Sequence, residues 1–522
     1  MRSKILAFLV VTGVAVWSVW PVIKKPATAF AYGGDDGIIT WQLNQTIQKI
    51  SGRTGSLFDG NIFYPYKNTA AYHMLLIPSA ILGYWPTQIT GSPVAAYNTA
   101  LIAGQLLTML AAWLWFREIS KDDWAGAAGA VVLGLCQIRM FFSIHIHMWI
   151  MQWMLISAWM LWRYVQNKKI WQLYAAGAFF AVQFWEGIYQ AYWILIMGVI
   201  ILWGSRRELW KQRKHLGVIA GGVLLLISPV LAAYGKIYQE FGFGGSIREA
   251  ANFSMSVNEL WQNFLSPGLF VLLLITIWRM IKVKLSNDQK WLTVLLITGV
   301  ILALGPVLKW EGETVKIFGR IFIPLPYGVL YYLIPGFSVL RSVHRMVWLS
   351  AFAGAGLIAI AVSHLQKRKI IGIAVALLVA IAGGTTVQRS LEFPRPENYP
   401  AVYGWLAGQP GKVILEYPVY MYDQAEHGLE MYRMVYSLKH GKSLIGGASG
   451  FVPPERQSLL VDIRLNYPNR GLDLKLRQLG TDYVVVHKNE TVAGKLTEFV
   501  KDPGLVKEWE GETAIVYRLV GI

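Results

Sequence analysis

Apolar runs of helical length recur from residue 5 to residue 386 of this 522-residue chain, separated by short polar or basic stretches. One soluble core cannot hide that much apolar helix. The pattern instead dictates a polytopic membrane protein, in which each spanning backbone bonds within its own helix. The composition fits: 55% of residues are hydrophobic and 15% charged. The 23 Trp and 25 Tyr suit the two bilayer interfaces. Lys and Arg number 48 against 30 Asp and Glu, a formal charge of +18. In a membrane protein that excess points to anionic lipid headgroups and lipid phosphates, not to nucleic acid. The single cysteine, Cys136, lies in an apolar run, so neither an intrachain disulfide nor a zinc-type cysteine set can form.

About eleven transmembrane helices are expected at the usual length of a bilayer span. They fall near residues 6–24, 95–116, 124–139, 148–163, 172–185, 188–203, 217–234, 268–280, 291–307, 346–363 and 371–386. The first run reads as a retained signal anchor, because it is as long as a span and its small-residue cleavage pattern is weak. The segments His73–Trp85 and Pro324–Phe337 are short and proline-bearing, so they read as re-entrant or interfacial. With the N-terminus cytoplasmic, basic clusters fall on inner loops: Arg163–Lys169, Arg206–Lys214, Arg279–Lys290 and Lys367–Lys369. That arrangement follows the positive-inside rule.

The expected architecture is therefore an all-α polytopic membrane bundle with a small extracytoplasmic α/β domain. Residues 1–386 form the transmembrane domain, with a long first outer loop at 25–94. Residues 387–522 form the C-terminal domain. Its strands are expected at Lys412–Tyr417, Tyr483–His487 and Thr513–Leu519, from β-branched and aromatic runs. A helix broken near Pro468 is expected within Pro454–Leu479.

Charged residues that hydropathy does not explain gather on the expected outer side. Asp35 and Asp36 follow two glycines in GGDDGIITWQ, at a turn that opens a helix. An Asp there can cap the helix, and two adjacent carboxylates can also bind metal or raise one another's pKa. His145 and His147 in FFSIHIHMW can hold a metal or grip a phosphate, and in an extended turn they point the same way. Arg139 and His73 are expected near the same edge. Glu186 interrupts an apolar hairpin, where a carboxylate is costly unless it has a task. Arg341 and Arg345 lie four apart, so on a helix they would share a face and hold phosphate oxygens.

Together these parts suit a lipid-borne sugar phosphate. Its phosphate needs cations, and an acceptor hydroxyl must lose a proton as the sugar gains oxocarbenium character. Asp36 is the expected base and the arginines the phosphate holders. The pieces DDGIITWQLN, SLFDGNIFYPYKNTAAY, RMFFSIHIHMWIMQW, IPLPYGVLYYLIPGFSVLRSVHRMVW and DYVVVH resemble the integral-membrane GT-C glycosyltransferase superfamily, within a poorly characterised prokaryotic group. The resemblance implies a polyprenyl-phosphate or polyprenyl-diphosphate sugar donor. It also implies a glycan, lipid or protein acceptor outside the cytoplasm. It places the acidic residue of the first outer loop at Asp36, with Asp35 in reserve, as base or metal ligand. Some members need a divalent metal; Mg2+ or Mn2+ would be held by Asp36, Glu186 and His147. Unlike the group's usual arginine stretch, the segment between Arg341 and Arg345 has no proline.

Two other readings use the same features. A lipid-linked substrate transporter or flippase would place ionisable residues at the bilayer midplane on broken, repeated helices, a pattern missing from this sequence. A noncatalytic membrane assembly factor would act through its outer tail and would tolerate loss of Asp36.

Overall fold

The computed structural model describes residues 2–31, 34–242, 244–260, 278, 282, 284–367, 369, 370, 372, 374, 386, 387, 389 and 391–520. Expected spans at 268–280 and 371–386 fall almost wholly outside these residues. Among the described residues, four helices are long and apolar enough to cross a bilayer: Val94–Ser120, Ile188–Lys211, Arg213–Phe241 and Val343–Ser363. A fifth span arises if the bent pair Asp123–Leu135 and Gln137–Ile144 counts as one. This is a multi-pass membrane protein, but it corrects the expectation of about eleven spans. Helices do form at Arg2–Ser18, Gln152–Asn167, Trp171–Glu186 and Asn287–Ala303. They stop at 16 or 17 residues. At ~1.5 Å per residue that is roughly 24–26 Å, short of a ~30 Å hydrocarbon layer. Hydropathy located these elements to within a few residues but counted runs of this length as spans.

Two compact units emerge from the contacts. The first comprises residues 1–24, 101–232 and 238–387, and the second residues 25–100, 233–237 and 388–522. Among its described residues the first unit is mainly helical, with two short hairpins, Lys309–Thr314 and Lys316–Phe322, ahead of an eight-residue helix Pro326–Leu333.

The second unit contains a mixed five-stranded sheet. Its order is Leu505–Glu510, Ala514–Leu519, Tyr483–His487, Val413–Tyr417, Ser443–Leu444. The first three strands pair antiparallel and the last two join in parallel. Every residue of Val413–Tyr417 and Tyr483–His487 is buried, as expected of central strands covered on both faces. The helices Pro454–Asn466 and Arg470–Gln478 flank the break at Pro468.

The first loop completes this sheet. Leu444 donates to the Asn61 carbonyl (2.7 Å), Tyr64 to that of Leu444 (2.9 Å) and Phe63 to that of Gly446 (3.1 Å). The segment Asn61–Tyr64 thereby covers an edge that would otherwise expose unpaired backbone groups. The Asn61 side chain is buried and donates to Ser437 Oγ and the Lys442 carbonyl, both at 2.9 Å. Its Oδ1 accepts from Trp41 Nε1 at 2.7 Å and Gln45 Nε2 at 2.8 Å. Gly447, at φ +132°, lets Ile62 approach; a Cβ there would lie 2.8 Å from the Ile62 Cβ. These contacts give the FDGNIFYP motif a structural role.

Candidate functional site

In the second unit, the site residues begin with the turn before helix Asp35–Ile50. Gly34 occupies φ +102°, and a Cβ on it would meet Met431 Sδ at 2.5 Å. A Cβ on Gly37 would lie within 3.0 Å of Met431 Cβ. The glycines around the Asp pair therefore let this turn sit flush against helix His427–His440. Gly34 is the N-cap and makes no side-chain cap bond. Asp36 is fully buried. Its Oδ2 accepts from the Ala31 N–H at 2.8 Å and its Oδ1 from the Gly37 N–H at 3.1 Å. Burial pushes the carboxyl up to about 7, against the opposing pull of the Arg389 guanidinium and the backbone N–H groups. Asp35 is only half-buried.

Arg389 is the residue that sequence reasoning missed. It precedes Leu391–Glu392, a two-residue strand antiparallel to Ala29–Phe30, with Ala29 opposite Glu392 and Phe30 opposite Leu391. That pairing carries Arg389 back to the first loop, and its Nη2 donates to Tyr97 Oη, at the start of the following helix, at 3.3 Å. The guanidinium lies 5.7 Å from the Tyr97 ring centroid. Its sequence signal is only an arginine just beyond the last apolar run. His73 lies in the same unit, half-buried, directly after the turn Thr69–Tyr72.

A second group lies in the first unit. The segment after Cys136 breaks into helix Gln137–Phe141, a 3-10 turn Phe142–Ile144 and a short helix Ile146–Trp149. His145 and His147 have ring centroids 5.7 Å apart at 89°. Arg345 Nη1 lies 3.3 Å from His147 Nε2. A guanidinium only donates, so Nε2 is the acceptor in this contact. The Arg345 guanidinium is flanked by Tyr189 at 5.1 Å and Phe142 at 5.8 Å. Glu186 is fully buried at the end of its helix. Gln190, a turn later, donates to the His147 carbonyl.

Arg341 and Arg345 do not share a helical face. Residues 343–346 form a 3-10 turn, and the α-helix begins at Val347. Arg341 precedes the turn and pairs with Glu249 at 3.3 Å, with its guanidinium 5.8 Å from the Phe253 ring. Arg139 also points elsewhere. It is buried, donates to Gln105 Oε1 at 3.1 Å and the Gly104 carbonyl at 3.4 Å, and lies 4.3 Å from the Trp149 ring. The structure thus brings His145, His147 and Arg345 together, and sends Arg139 and Arg341 to other partners. Among the described residues, no three His, Cys, Asp or Glu side chains are grouped to hold a metal ion. Both Asp36 oxygens already accept backbone hydrogen bonds.

No protein-family model matches the sequence, and no curated protein matches it. Solved structures do match in fold. The arabinofuranosyltransferase AftD from Mycobacteria aligns with TM-score 0.62 at 13% identity, over 100% of this chain and 40% of that one. Its R1389S mutant aligns with TM-score 0.58 at 14% identity, over 99% of this chain and 41% of that one. The apo oligosaccharyltransferase from Archaeoglobus fulgidus aligns with TM-score 0.50 at 13% identity, over 93% of this chain and 69% of that one. The chain thus spans less than half the length of AftD. It shares the fold of these solved enzymes.

Proposed function

We propose that this chain is a membrane glycosyltransferase that moves a sugar from a polyprenyl-phosphate or polyprenyl-diphosphate donor to an extracytoplasmic glycan, lipid or protein acceptor. Its fold likeness to two sugar-transferring enzymes supports the class of reaction. The observation that carries the proposal is Asp36, a buried carboxylate in the first loop whose pKa is raised to about 7. A base of that strength suits an acceptor hydroxyl, which must shed its proton as the anomeric carbon gains positive charge. Arg345, beside His147 and two aromatic rings, is the donor-phosphate cation in this reading. In the same reading Asp35 is the reserve base, and His145 and His73 contribute to substrate binding. Arg139 has a positioning role, through Gln105 and Trp149. Arg341, paired with Glu249, is a further phosphate-binding cation in this reading. In this reading residues 387–522 lie outside the cytoplasm.

The test is transfer from radiolabelled polyprenyl-phosphate sugars by the purified, reconstituted full chain. Asp36→Ala is expected to lose roughly 10²–10⁴-fold in rate, the usual worth of a positioned base. Equal rates for variant and wild type would remove Asp36 from the reaction. Mass analysis of lipid-linked sugars in cells lacking the gene would identify the accumulated donor.

A further inference from the structure

The loop between helices Asn287–Ala303 and Val347–Ser363 carries two hairpins of opposite character. The first turns through Glu311-Gly312 and is polar at its tip. The second, Lys-Ile-Phe-Gly-Arg-Ile-Phe at 316–322, has no acidic residue. Lys316 pairs with Phe322 and Ile317 with Ile321, so the two pairs occupy opposite faces of the ribbon. Phe322, Ile317 and Ile321 are all exposed, and Phe318 at the turn is 92% exposed. The following helix adds exposed Val329, Tyr332 and Leu333, and Trp310 is exposed on the neighbouring hairpin.

A two-stranded ribbon is marginal in water by itself, and one that shows large apolar side chains on both faces lacks even a buried side to stabilise it. A groove on a protein would cover one face. A fluid interface covers both. Cations border the apolar atoms: Lys316 Nζ lies 5.6 Å from the Phe322 ring, and Arg320 is the last residue of the turn. That spacing matches acyl carbon below and phosphate above. Each strand is only two residues long, leaving backbone groups that the hydrocarbon core would not tolerate but the headgroup layer hydrates.

We propose that hairpin Lys316–Phe322 is a membrane-dipping element. It inserts Ile317, Phe318, Ile321 and Phe322 into the interfacial layer of a bilayer and binds anionic headgroups through Lys316 and Arg320. It anchors the loop at a fixed depth without crossing the membrane.

A nitroxide on Phe318→Cys in the full chain tests this, because the native Cys136 is buried. The label is read in nanodiscs of phosphatidylcholine with phosphatidylglycerol, for access to oxygen and to a water-soluble nickel chelate. The oxygen-to-nickel ratio at 318 is expected to exceed that at Glu311→Cys several-fold. It should fall in discs lacking phosphatidylglycerol and in the K316E/R320E background. Equal ratios at 318 and 311 would overturn the insertion. So would a label shielded from both reagents, which would mean cover by protein, including a second copy. The same depth with and without the anionic lipid would overturn the headgroup assignment. Ile321→Cys provides an independent reading should the first variant misfold.

Discussion

Two main-chain N–H groups, from Ala31 and Gly37, bond the two oxygens of Asp36, and such bonds favour the ionised form. Burial outweighs them and carries the carboxyl from 3.8 to about 7. The folded pKa therefore lies above the unfolded one, so ionisation of Asp36 opposes folding. Its cost is absent below pH 3.8, grows as pH rises and is complete above about 7. Over that range it is on the order of 4 kcal/mol. A purely structural carboxylate gains nothing from such a site, whereas a base does. Arg389 holds the pKa below where burial alone would leave it. Arg389→Gln should therefore move the acid limb of the kcat/KM profile to higher pH, by about one unit or more. Arg389→Lys should restore most of it. Loss of activity at every pH with an unmoved limb would mean that Arg389 is only structural. Of this pair, Asp36 was legible from two glycines and a helix start. Arg389 was not, because a two-residue strand pairing across most of the chain leaves no local pattern.

At the scale of elements, helix His427–His440 places Arg433 inside the second unit's sheet domain. Its Nη1 donates to Glu430 at 2.8 Å, its Nη2 to Glu490 at 2.6 Å, and Glu416 lies 3.7 Å from its Nε. His487 Nε2 and Tyr403 Oη reach the same Glu416 oxygen, at 2.8 Å and 2.9 Å. Burial pushes Glu430 up to about 7 despite Arg433, while bonds from His487 and the charge of Arg433 hold Glu416 below its usual value against its own burial. Removing the one cation strands the carboxylates, so Arg433→Met should cost roughly 3–5 kcal/mol. Arg433 holds the Glu430 pKa down to about 7, so without it Glu430 titrates higher and the deficit should shrink as pH falls towards about 7. Denaturant unfolding of the variant at pH 8 and pH 5.5 checks both claims; an equal deficit at the two values would exclude Glu430 as the stranded charge. The sequence revealed the strands on either side of this cluster through their β-branched runs, but not the cluster, whose charges come from separated elements. The spacing of Arg341 and Arg345 misled for a related reason: four residues make a shared face only in an α-helix, and this segment is a bend and a 3-10 turn.

For the whole molecule, the strongest constraint comes from the edge that Asn61–Tyr64 adds beside Ser443–Leu444. Backbone hydrogen bonds cannot reach across a bilayer, so the first loop and the C-terminal domain lie on the same side of the membrane. The chain must then cross an even number of times between residues 100 and 388. Among the described residues, the four helices long and apolar enough to span satisfy this parity, since each lies largely or wholly within that interval. Any further crossings, including one at the bent pair Asp123–Leu135 and Gln137–Ile144, must be matched by others. Single cysteines at exposed Ser56 and Glu512 should therefore react with an impermeant maleimide from the same side of sealed, oriented vesicles. Reaction from opposite sides would break the parity and, with it, the pairing of the first loop with the sheet. Reaction of both from the periplasmic-equivalent side would place both segments outside the cytoplasm. It would put Asp36 on the face where a polyprenyl-linked sugar meets its acceptor, which the proposed reaction requires.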